Sequence, residues 1–285
     1  LECNVAGDIQ LFQRAVRLTV DTQQIEGLDV QFKVRKTSNK EPNTCECSVY
    51  NLSQASRALL GEKGIQLTLD AGYVGTLAQI FRGNATCYHE HVGADWITRL
   101  SIVDGERSYR YALVNENFKP GTMVHHVVAR VASALNLDVT DAVNLVRANN
   151  TEQFTQGYVA HGRASTELDK LLKGRGFEWS IQDGRLQVLL KGTTTSHREV
   201  VLTPDSGLIG SPTFGTASVG NPEPGQKRGP RVLKLKSLLQ PDLKPGRRVH
   251  VESEGIKGTF RILTVTHSGD TSGADWYSDV EAQPL

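Results

Sequence analysis

The sequence predicts an α+β chain, mainly β: two similar antiparallel β-barrels with a small α/β domain between them. Three observations carry this reading. Apolar and polar residues alternate through most of the first 110 residues and again after residue 193, the period of strands with one buried face. Between these stretches the period changes to that of amphipathic helices. The tetrapeptide Gly-Ala-Asp-Trp also occurs twice, as Gly93–Trp96 and Gly273–Trp276, after the same succession of local signals.

The first domain is read as residues 1–110. Val30, Phe32 and Val34 alternate with Asp29, Gln31 and Lys33, and Cys45, Cys47 and Val49 follow the same rule. A short helix follows, with Ser53 as N-cap and Gly61 as its stop. Ile65, Leu67, Leu69 and Ala71 form one face of the next strand, and further strands are expected near 78–91 and 96–104.

Residues 111–192 are read as the α/β domain. Val124, Val127, Val128, Val131, Ala132 and Leu135 mark one face of a helix, with Thr122 as its expected N-cap. A second helix runs from Ser165 to Lys173, with Leu168, Leu171 and Leu172 inward and Gly174 and Gly176 as stops. Asp183-Gly184 between two alternating runs predicts a hairpin. The last domain, 193–285, returns to strands but contains a Gly/Pro/Ser-rich stretch at 203–230. That stretch is read as a long loop, well beyond the roughly 4–6 residues of a median connection.

The two β regions repeat more than four letters. In each, two leucines precede a turn ending in glycine (Gly64, Gly246), followed by an alternating strand. Phe-Arg comes next (Phe81-Arg82, Phe260-Arg261), then a histidine (His89 or His91, and His267), then Gly-Ala-Asp-Trp. The Phe-to-Asp separation differs by one position, 81 to 95 against 260 to 275. Such self-similarity marks a duplicated unit, with Phe81, Arg82, Gly93, Ala94, Asp95 and Trp96 matching Phe260, Arg261, Gly273, Ala274, Asp275 and Trp276. The motif is read as a turn: Gly for its backbone, Asp bonding the turn, Trp capping the end of its barrel.

A formal net charge of +1 supplies no global field toward nucleic acid or anionic membrane. No apolar run approaches the roughly 20 residues of a membrane span, and no secretory leader is read. Cys3, Cys45, Cys47 and Cys87 lack zinc-ribbon spacing and read as free thiols of a reducing cytosol. His89 and His91 share a strand face and are the weak candidates for a metal, without a third ligand at suitable spacing. His125 and His126 are expected to diverge. There is no nucleophile elbow, phosphate loop, dinucleotide fingerprint or zinc-protease motif, so no catalytic residue, metal or cofactor is assigned.

The runs at 49–73 and 80–109, then 119–137 and 157–189, resemble baseplate hub proteins of contractile-tailed bacteriophages, the gp27-like tail hubs. The resemblance implies tail-tube-like barrels and a structural role in the virion tail baseplate, assembled in the host bacterial cytoplasm. It implies a homotrimeric ring of six quasi-equivalent barrels that adapts a six-fold tail tube to a three-fold central spike. The implied partners are the tail tube protein, the central spike protein, the tape-measure protein C-terminus and baseplate wedge proteins. DNA would only pass through the lumen, and no membrane is involved. The alternatives are a tail-tip peptidoglycan hydrolase and a cell-wall-binding module built on 111–192.

Overall fold

The computed structural model describes residues 13–61, 64–217 and 231–285. Cys3 and positions 218–230 of the glycine-rich stretch lie outside the described residues.

The first β region comprises β1 (Arg14–Val20), β2 (Gln23–Glu26), β3 (Val30–Thr37) and β4 (Thr44–Tyr50), then helix α1 (Gln54–Leu60). It continues with β5 (Ile65–Tyr73), β6 (Ala78–Val92) and β7 (Asp95–Val103). Alternation is strict where the core needs it: in β3, Val30, Phe32 and Val34 are buried while Gln31, Lys33 and Arg35 are exposed. Ser53 caps α1 by accepting a bond from the Ser56 backbone N–H at 3.1 Å, and Gly61 ends the helix, both as the sequence reads.

The middle region contains α2 (Glu106–Tyr111), β8 (Leu113–Phe118), β9 (Thr122–Met123), α3 (Val124–Ser133) and α4 (Thr140–Asn149). Then come β10 (Gln153–Phe154), β11 (Tyr158–Arg163), α5 (Ala164–Lys173), β12 (Phe177–Gln182) and β13 (Arg185–Leu190). Three two-stranded pairs, β8–β11, β9–β10 and β12–β13, share one apolar cluster with the faces of α3 and α5. Tyr109 packs on that cluster, so its packing begins at α2, ahead of residue 111. Thr122 is not the cap of α3: it lies in β9 and donates its hydroxyl to the Lys119 carbonyl at 2.7 Å, because pairing with Phe154 holds it in a strand. Asp183 and Gly184 both have positive φ (56° and 78°), the backbone of a tight hairpin turn.

The last region holds β14 (Val200–Leu202), a 3-10 turn at Pro204–Ser206, β15 (Leu208–Thr216), β16 (Arg231–Leu238), β17 (Arg248–Glu252), β18 (Lys257–Asp270) and β19 (Trp276–Pro284). Part of the expected loop at 203–230 is therefore a strand. Gly210 and Pro212 interrupt the alternation of β15 at an irregularity in its pairing with β16, which hides the strand in the sequence.

The two β regions form one thirteen-stranded sheet among the described residues. One part runs β3-β4-β7-β6-β5-β1-β2 and the other β15-β16-β19-β18-β17-β14. They join where residues 264–270 of β18 pair antiparallel with β3, His267 opposite Val34. The expectation of two closed barrels is corrected here, because the pairing path is open. β3 has one edge on β4 and gives the other to β18, so it has no edge left to close on β2. All seven strands of the first part still feed one apolar cluster, and a separate cluster lies under the second.

Candidate functional site

The sequence singled out the two Gly-Ala-Asp-Trp copies, and the structure treats them differently. Gly93 and Ala94 form the two-residue turn of the β6–β7 hairpin, with Gly93 at φ 64°. Between β18 and β19 the connection is longer, and Asp270, not Asp275, bonds the turn by accepting from the Ser272 and Gly273 backbone N–H groups at 3.0 and 2.7 Å. Asp95 accepts from the Asn51 side-chain amide at 2.8 Å, while Asp275 is engaged by the Tyr277 hydroxyl.

The tryptophans diverge further. Trp276 is 2% exposed and lies edge-on to Phe32 and Tyr73, with ring centroids 5.7 and 6.4 Å away, inside the core of the first β region. Trp96 is 41% exposed and is flanked by His91 at 4.9 Å and the Arg57 guanidinium at 4.4 Å. Neither caps the core of its own region, contrary to the sequence reading, because each hairpin end projects past its own strands.

His89 and His91 do not gather a metal site. His89 Nδ1 bonds the Thr98 hydroxyl at 2.9 Å and the His91 ring lies tilted against Trp96. His125 and His126, expected to diverge, lie with ring centroids 4.3 Å apart. No group of three or more potential ligands assembles among the described residues. Cys45 and Cys47 are buried, and burial pushes the Cys47 thiol up to about 12, which suits packing and not nucleophilic chemistry.

A group of buried charged side chains forms a bolt between the regions. Lys36 is fully buried and donates to Asp183 at 2.6 Å, and Lys244 reaches the same carboxylate at 3.3 Å. Asp104 accepts from the backbone N–H groups of Asp183 and Gly184 at 2.6 and 2.9 Å, clamping the β12–β13 turn. Burial and then the Asp183 charge push Asp104 up to about 6. Burial alone would raise Asp183 too, but Lys36 and Lys244 outweigh it and hold that carboxyl below its ordinary range. A neighbouring cavity of about 720 Å³ is lined by Arg82, Asp141, Asp183, Arg185, His197 and Arg247. One of its two acids is tied to two lysines, so it does not present the pair of carboxylates that glycoside hydrolysis needs.

Two strand edges carry exposed apolar side chains. Residues 78–85 of β6 pair with β5, but residues 86–92 have only β7 as a strand partner among the described residues, with the end of α1 beside them, where Cys87 donates to the Leu60 carbonyl at 2.9 Å. Tyr88 and Val92 on this segment are 60% and 54% exposed. The outer edge of β15 is also unpaired among the described residues, and its Ile209 and Phe214 are exposed. These four residues escaped the sequence reading. The available signal was apolar side chains written at the solvent-facing positions of strands.

No protein-family model matches the chain, and no curated protein matches it. Solved structures do share its fold. The 43 kDa tail protein of prophage MuSo2 from Shewanella oneidensis aligns with a TM-score of 0.64 at 11% identity, over 95% of this chain and 98% of that one. A tail protein from Neisseria meningitidis MC58 aligns with a TM-score of 0.65 at 11% identity, over 95% and 96%. The c3393 protein of E. coli aligns at 0.61 and 13% identity, over 94% of this chain and 76% of that one. That protein is described as a component of the type VI secretion system, structurally similar to the T4 phage tail proteins gp27 and gp5. The resemblance to tail hubs read from the sequence is thus matched in fold across nearly the whole chain.

Proposed function

We propose that this chain is a structural hub of a phage tail or a phage-derived injection particle, without catalysis of its own. Three copies form a ring of six similar β units, each unit wrapping its core as a tail-tube-like barrel whose closure involves strands of its neighbours. The ring adapts a six-fold tube to a three-fold spike and surrounds a DNA channel. Its partners are the tube, spike and tape-measure proteins and the baseplate wedge, and it is located in the virion. Three units make up the chain, 1–110, 111–192 and 193–285, with the middle one set on the ring.

One observation carries this reading: five strands of each β region follow the same order. β3-β4-β7-β6-β5 corresponds strand for strand to β15-β16-β19-β18-β17, all neighbours antiparallel. The repeated residues occupy matching places in this order. Phe81 and Phe260 lie in the long strands β6 and β18, and Trp96 and Trp276 lie at the beginnings of β7 and β19. His89 and His267 each bond a hydroxyl on the residue two past the tryptophan, Thr98 and Ser278. Two copies of one unit per chain, taken three times, give the six-fold arrangement a tube requires, and contacts that close by rotation give a ring. The tail-protein fold of the neighbours supports the same reading.

Light scattering on the purified chain at rising concentration tests it. The expected molar mass is that of three copies, and a stable two-copy species would contradict it.

A further inference from the structure

We propose that the outer edge of β15 in one copy of this chain pairs antiparallel with residues 86–92 of β6 in the next copy. This repeats between chains the β3–β18 pairing made within each. The number of copies rests on the hub reading above; the pairing does not.

The chain contains its own template for the contact. β18 pairs with β17 along its first residues and then with β3 over 264–270. β6 occupies the corresponding place in the first region, pairs with β5, and then has its 86–92 edge unpaired among the described residues. β15 stands to β16 and β19 as β3 stands to β4 and β7, and its outer edge is also unpaired among the described residues. Every chain thus carries one edge of each kind, the two halves of a heterologous contact.

The ladders fix the register. Val34 pairs with Cys45, which pairs with Ile102, six residues past Trp96. Phe214 pairs with Leu233, which pairs with Ala282, six residues past Trp276. Phe214 therefore corresponds to Val34, and since Val34 faces His267, Phe214 faces His89 in the next chain. By the same construction Gly215 faces Tyr88, and beyond the irregularity at Gly210–Pro212, Ile209 faces Val92.

The chemistry suits that register. It sets two exposed aliphatic side chains against each other at Ile209 and Val92, and lays the exposed Tyr88 ring over a glycine, which offers it space. Exposed apolar residues on a free strand edge favour association unless the edge is paired. His267 is fully buried beside β3, whereas His89 is only half-buried; the contact places His89 in the environment His267 already has.

The test is the full-length double variant Val92→Cys with Ile209→Cys, oxidised mildly, with the wild-type chain as control for its native thiols. Opposed residues in such a pair have Cβ atoms about 4.5–5.5 Å apart, close enough for a disulfide after small adjustment. The expected result is a three-copy mass by light scattering and a disulfide-linked trimer on a non-reducing gel. A mixture of the two single variants should give disulfide-linked dimers only. A three-copy mass without the 92–209 link overturns the edge pairing and leaves the hub reading standing. A chain that is monomeric at every concentration and never linked overturns both. A linked, open-ended series of dimers, tetramers and longer species supports the pairing and sinks the trimeric hub. As a second readout, Ile209→Asp should abolish assembly and Val92→Lys should restore it in the same chain; failure of that rescue in a folded double variant also counts against the pairing.

Discussion

The β6–β7 and β18–β19 hairpins carry the same signature, yet one is packed inside the molecule and the other is not. In the second, β3 lies along β18, Trp276 enters a foreign core between Phe32 and Tyr73, and His267 is sealed from water. In the first, no strand lies along residues 86–92 among the described residues, Trp96 stays partly in solvent, and His89 is half-buried. Position 269 sharpens the contrast. A side chain at Gly269 would meet the Phe32 ring at 2.2 Å, whereas the matching residue, His91, has room for an imidazole tilted against Trp96. The difference between the copies is the neighbour: among the described residues no strand takes along the first hairpin the place that β3 takes along the second.

The largest expected effect breaks this symmetry directly. Trp276→Ala should cost about 3–5 kcal/mol of folding stability, the usual range for removing a large buried aromatic. Trp96→Ala should change the stability of the isolated chain by less than about 1 kcal/mol and weaken assembly instead. Chemical denaturation of both variants beside light scattering checks the split. Equal losses of stability would contradict it.

Lys36→Met tests the bolt that holds the second copy's surroundings in place. Removing the lysine leaves Asp183 and Asp104 buried with one cation fewer, and the expected loss is about 3 kcal/mol by denaturation. Next in size, Gly269→Ala should cost about 1–3 kcal/mol through overpacking against Phe32, while His91→Ala should be nearly neutral.

A smaller effect separates the histidines by pH. Burial, and then the Lys36 and Lys244 charges, pull His267 down to about 3 from its ordinary 6.5. The folded state keeps it neutral where the unfolded chain protonates, so its contribution is fully present above about pH 6.5 and is lost as pH falls toward 3. Asp104, raised to about 6, acts with the opposite sign between about pH 4 and 6, so total stability alone is not diagnostic. The difference between wild type and His267→Asn is diagnostic. From pH 7 to pH 5 the wild type should lose about 2 kcal/mol more than the variant. An unchanged difference would remove the buried neutral histidine from the account.

Local signals carried much of the fold. Ser53, the Asp183-Gly184 turn and the inward leucines of α5 are legible because caps, positive φ and periodicity act within a few residues. β15 was hidden because Gly210 and Pro212 suit an edge strand but spoil its alternation. α4 was missed because only Ala142 and Val146 are buried, too thin a stripe to show a helical period. The β3–β18 junction joins residues more than two hundred positions apart and leaves no local trace. The two edges follow the same logic: their residues are readable, but that no strand covers them among the described residues is not.

The most direct measurement is an electron-microscopic projection of the assembled chain viewed down its axis. The account predicts a closed ring of six similar lobes with true three-fold symmetry, because alternate lobes differ. A two-fold dimer, or an open filament, would contradict it.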